Sequence, residues 1–283
     1  MTVAAYSLTA SRLILLTIIV CIVRDPKQHT ELHAVLRCYL AAVIAELLWR
    51  RSCRRSPHGG SFARWRHLAL PAFALCDVLM SRYGVVRAGL DISAAVPGGG
   101  LRDSIHHIVL LVLSSRFTSN LFLWALCHRA IYMVPAQLAV VYHHWRANAD
   151  NCAATVLAAP SAVARTHTVA RALAGLQLGG LPNELLHRSL TPAEECHTVL
   201  AWQQLMFGLA LPLLAQLSIE SRLWVQHQAE RRQRRLPPER SRLAWLYHAV
   251  HSMADLDILH AVVLGLLLSA VLHLLAIAVS VER

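Results

Sequence analysis

The stretch from Ile258 to Val281 constrains this chain most, because it lies between Asp257 and Glu282 without one Asp, Glu, Lys or Arg and is built from Leu, Val, Ala and Ile. As a helix rising 1.5 Å per residue it is roughly 36 Å long, enough to cross a hydrocarbon core of about 30 Å with some tilt. A second uncharged run, Val199 to Ile219, is of similar length. With 56% hydrophobic residues in a chain of 283, little polar material remains for a separate soluble domain. One integral membrane domain over residues 1–283 is therefore expected. These segments set the class and assign no activity.

The formal charge of +11 raises the question of nucleic acid. Lys27 is the only lysine among the 27 basic residues, and Arg beside abundant Ala and Leu is the signature of a GC-rich genome. The basic excess is more informative as a topology signal, since cytoplasmic loops of membrane proteins collect Arg and Lys. No nucleic-acid partner is expected. The expected partners are the bilayer and, at the basic loops, anionic lipid head groups. With no lysine in any apolar run and no Gly-Lys-Ser/Thr sequence, a retinal Schiff base and a phosphate-binding Walker loop are both excluded.

Along the chain, Leu13 to Val23 lies between Arg12 and Arg24 and reads as a first span or signal anchor. His33 to Trp49 follows, carrying Arg37 and Glu46, and then a basic loop at 50–66. A third apolar run, His67 to Val86, has Asp77 near its middle. The region 104–145 is interrupted by the polar cluster Ser114 to Asn120. The second basic loop, 220–242, should share a side with the first. An even number of crossings then separates them, so 104–145 is expected to form a hairpin whose second helix is capped by Ser119 or Asn120. A longer loop at 146–197, with one interfacial helix near 161–176, is expected on the far side. The expected fold is all-α, a transmembrane bundle of about seven spans (six to eight).

Ionisable groups at membrane depth are the first functional candidates, because each costs about 2.5 to 3.5 kcal/mol there unless paired or wet. The polar interior expected on this basis comprises Asp77, Arg129, Arg116 and Glu46, serving passage or sensing of a small solute or ion without covalent chemistry. The alternatives are a metal- or haem-dependent redox protein, which would draw on the seventeen histidines and most directly on His128, His260 and His273 in the apolar runs, or a structural subunit of a membrane complex. No hydrolase motif is present, and no cofactor is assigned. Cys152 and Cys196 bracket the far-side loop, and an oxidising compartment would let them form a disulfide. His248, His251 and Asp255 follow one another at i, i+3 and i+7, within about 60° of arc on one helix face. They form a candidate divalent-metal site, with Glu220 as the fourth ligand. The competing reading is the polar edge of an amphipathic helix with Asp255 as an N-cap.

Overall fold

The computed structural model describes residues 41, 44, 101–115, 130–178, 190–238, 243–254 and 258–281. The elements among them are all helices: α1 (Leu101–Ser115), α2 (Ala130–Cys152), α3 (Thr155–Ala158), α4 (Pro160–Leu178), α5 (Pro192–Gln203), a π-helical segment (Gln204–Ala210), α6 (Leu211–Gln233), α7 (Ala244–Ala254) and α8 (Ile258–Val281). The all-α expectation therefore holds. Two stretches, Pro192–Gln233 and His260–Ser280, are long and apolar enough to cross a membrane by length and composition. Among the described residues no third helix meets both criteria, so the seven-span count is not confirmed; α1, with 15 residues, reaches only roughly 22 Å. The runs expected from residues 1–100 lie outside the described residues.

The bundle is organised on the continuous helix formed by α5, the π segment and α6. Its start is fixed locally. Thr191 Oγ1 accepts from the Glu194 backbone N–H at 3.3 Å, and Glu194 Oε2 accepts from the Thr191 N–H at 2.7 Å. This is a capping box, with Pro192 in the first turn. The far end closes on Leu236 N–H donating to Arg231 C=O and Arg235 N–H donating to Arg232 C=O. Arg235 adopts a left-handed φ of 53°, and Pro237 and Pro238 prevent the helix from resuming. From there α7 turns back along α6, packing Tyr247 and His248 on Trp224 with ring centroids 5.9 and 4.8 Å apart. The final helix α8 returns along α5, where Trp202 Nε1 donates to Ser269 Oγ at 3.2 Å.

Around the start of α5, Leu111, Leu157, Cys196, Val199 and Leu200 form a buried cluster. On it α4 packs Val169, Ala170 and Leu173. Within 146–197 the described residues form the end of α2, then α3, α4 and the start of α5, and α4 lies where the interfacial helix near 161–176 is expected. Ser114 and Ser115 are fully buried beside Asn148, Asn151 and Gln204. The turn expected after them, with Ser119 or Asn120 as cap of the second helix, lies outside the described residues.

Polar side chains share the buried faces of the long helices. The inward stripe of α2 holds Gln137, His144, Asn148 and Asn151 beside Met133, Val140 and Val141, while Ile131, Tyr132, Leu138 and Tyr142 are exposed together with Arg146 and Asp150. On α8, Ser269, His273, Ala276 and Ser280 are buried at i, i+4, i+7 and i+11, and Val262, Leu264, Leu267, Val271 and Leu275 are exposed.

The ends of α2 and α5 are joined by Cys152 and Cys196, whose sulfurs are bonded and whose Cα atoms are 6.0 Å apart. A bridge closing a loop of this length typically stabilises by about 2 to 4 kcal/mol. In protein isolated without reductant, a thiol-reactive polymer is expected to leave both cysteines unmodified until reductant is added. Reduction should lower the unfolding temperature. Two freely modified thiols at these positions would reject the bridge.

Candidate functional site

The side chains with the most polar atoms at the greatest depth lie in the seam between α2 and the helix formed by α5, the π segment and α6. Two hydrogen bonds pair Asn148 and Gln204 reciprocally. Asn148 Nδ2 donates to Gln204 Oε1 at 3.1 Å, and Gln204 Nε2 donates to Asn148 Oδ1 at 2.9 Å. The same Gln204 amide donates to the Ser115 carbonyl at 3.0 Å, and Asn151 Nδ2 donates to the Ser114 carbonyl at 3.2 Å. A helix leaves the carbonyls of its last turn without internal partners. The two amides therefore satisfy the end of α1 inside the bundle. Asn148 and Gln204 are 0% and 1% exposed.

The opposite end of the seam is Glu220. Its Oε1 accepts from the Ala130 backbone N–H at 2.6 Å and from Gln216 Nε2 at 2.9 Å, and its Oε2 accepts from the Tyr247 hydroxyl at 3.0 Å. One carboxylate thus ties α2, α6 and α7 together. Because α2 pairs with Gln204 near its end and with Glu220 at its start, the helices are antiparallel. By interpolation Gln137 falls at the level of residues 212–216.

At that level the polar groups are not consumed. Gln137 is 0% exposed, and neither its Nε2 nor its Oε1 has a hydrogen-bond partner among the described residues. Oε1 of Gln216 is likewise unpaired. Backbone groups open nearby as well. Pro212 is buried at the start of α6 and has no N–H to offer the Gly208 carbonyl, while Leu211 N–H reaches back five residues to Met206. Widening the helix to π geometry accommodates the lost bond, and such segments recur at functional positions. Pro135 in α2 removes the donor that the Ile131 carbonyl would use. A dry amide buried this way costs about 1 to 3 kcal/mol, so water or a polar solute is the natural complement at this level.

Asp77, Arg129, Arg116 and Glu46 lie outside the described residues, as do Asp255 and His128. His248 and His251 do share a face of α7. His248 is exposed, with its ring edge-on to Trp224, and both oxygens of Glu220 are taken by the three donors above. Among the described residues no group of three His, Cys, Asp or Glu could hold a metal. Of the histidines considered for haem, His260 and His273 both belong to α8 and cannot face each other across one ligand. A search restricted to ionisable residues passes over Gln137, Asn148, Gln204 and Gln216. The signal that marks the α2 members is a polar repeat at helical spacing (137, 144, 148, 151) in a segment otherwise rich in Ile, Val, Leu and Ala.

Compared with known proteins, the chain matches no family model, no curated protein and no solved structure.

The reciprocal pair sets up a thermodynamic cycle. Asn148→Leu or Gln204→Leu alone strands a buried amide and is expected to cost about 1 to 3 kcal/mol. The double variant should cost clearly less than the two summed. Additive losses in thermal or denaturant unfolding would mean that the two side chains do not interact.

Proposed function

We propose that this chain is an integral membrane helix bundle that passes or senses a small solute or ion through its polar seam, without covalent chemistry. The observation that carries the reading is the polar share of the buried stripe of α2, where Gln137, His144, Asn148 and Asn151 lie inward while Ile131, Leu138 and Tyr142 are exposed. In water such a helix would lose free energy on both faces. In a bilayer the outward face meets acyl chains, and the inward face satisfies polar groups that lipid cannot. The pattern of α8 supports the same environment. The basic end of α6, with Arg231 and Arg232 in its last turn, suits an anionic head-group region.

Within the seam the roles divide. Asn148 and Gln204 hold the helices in register, the level of Gln137 and Gln216 offers unsatisfied amide atoms, and Glu220 anchors the basic end. This amide-lined level stands where the sequence alone points to Asp77. Uncharged hydrogen-bonding solutes and hydrated protons are the species such a lining can serve.

Purified protein in liposomes provides the test. Stopped-flow light scattering after an osmotic step follows water, urea and glycerol, and an entrapped pH dye follows protons. At least one species is expected to cross faster than in protein-free vesicles, and Gln137→Leu with Gln216→Leu should abolish the excess. Rates equal to those of empty vesicles for all four, with no solute-dependent change in the fluorescence of the seam-flanking Trp145, would reject the reading.

A further inference from the structure

A cavity of about 490 Å³ lies where α2 ends and α5 begins, against the Cys152–Cys196 bridge and the last turn of α8 at Ser280. This is the size range of sites for small molecules. Its wall is mostly apolar, formed by Ala149, Ala153, Leu157, Ala158 and Val163. His197 also lines the wall, and three of the wall's other polar side chains are engaged in hydrogen bonds. Thr166 is hydrogen-bonded to His107 at 3.0 Å, Glu194 caps Thr191, Ser280 donates to the Ala276 carbonyl at 2.7 Å, and the two sulfurs are bonded together.

We propose that this cavity binds an acyl chain of a membrane lipid at the far end of the bundle from the basic turn. The inference rests on the membrane reading above. If α8 crosses the bilayer, Ser280 lies one helix length from Ile258, roughly 33 Å, so the cavity sits at the boundary between hydrocarbon and head groups. Next in sequence to the wall residues Thr166 and Glu194, His167 Nδ1 and Glu195 Oε1 are 2.7 Å apart. That arrangement suits a molecule with a hydrocarbon body and a polar end. The Cys152–Cys196 bridge is part of the wall and ties α2 to α5 there.

The test is photolabelling in proteoliposomes of phosphatidylcholine that carries a diazirine within one acyl chain, with the labelled sites mapped by mass spectrometry. Labels are expected at two places, on the outward residues of α8 from Val262 to Leu275 and on the cavity wall at 149–163. Val163→Trp and, independently, Ala149→Trp should fill the space and reduce wall labelling to background while labelling of α8 stays unchanged. Persistence of thiol protection at Cys152 and Cys196 identifies the variants that remain folded. Label on α8 with none on the wall, or wall label indifferent to both substitutions, overturns the lipid site and leaves the membrane reading intact. Absence of label on α8 overturns both.

Discussion

The reciprocal amide pair of Asn148 and Gln204 is the interaction on which the arrangement of the other helices depends. Each side chain is fully buried, and each can be satisfied only by the other or by a backbone group of similar depth. Their distance fixes the register of α2 against the start of the π segment that continues α5, and the third bond from Gln204 to Ser115 fixes the end of α1 at the same level. Once this register is set, α2 meets α6 at Ala130 and Glu220. Apolar contacts alone would leave such a register loosely specified, because they are non-directional.

Two different devices hold the seam at its ends. At one end Cys152 and Cys196 join α2 to α5 covalently. At the other, the Glu220 carboxylate gathers a backbone N–H, an amide and a hydroxyl from three helices. Between them the π segment and Pro212 interrupt the helix where Gln137 and Gln216 have amide atoms to spare. The seam is tied at its ends, and among the described residues it leaves amide atoms of Gln137 and Gln216 without hydrogen-bond partners in its middle.

Much of the architecture is legible in the residues, by different signals. The 24 uncharged residues of α8 declare a long apolar helix without help from packing. The start of α5 is written as Thr191-Pro192-Ala193-Glu194, a capping sequence that extends the helix seven residues ahead of the apolar run beginning at Val199. Cys152 and Cys196 draw attention because they lie at the ends of neighbouring apolar segments, an argument that needs only spacing. The seam is harder to read. Gln and Asn carry no charge, so a search that ranks residues by the cost of burying ionised groups directs attention to Asp77, Arg116 and Arg129. Whether an amide points inward depends on helix rotation, which in α2 follows from Asn148 meeting a glutamine 56 residues later. No local pattern encodes that meeting. The depth of Ser114 and Ser115 is hidden for the same reason, since a Ser-rich cluster resembles a turn until partners from α2 and the π segment are in place.

The membrane environment of the apolar residues exposed on α2 and α8 is tested most directly by spin labels read against two relaxation agents, molecular oxygen, which concentrates in hydrocarbon, and a water-soluble nickel chelate. Leu138→Cys, Tyr142→Cys, Leu267→Cys and Val271→Cys would each be labelled in liposome-reconstituted protein. All four sites are expected to be accessible to oxygen and shielded from nickel. Four sites accessible to nickel would place these apolar faces in water and contradict the membrane bundle on which the seam depends.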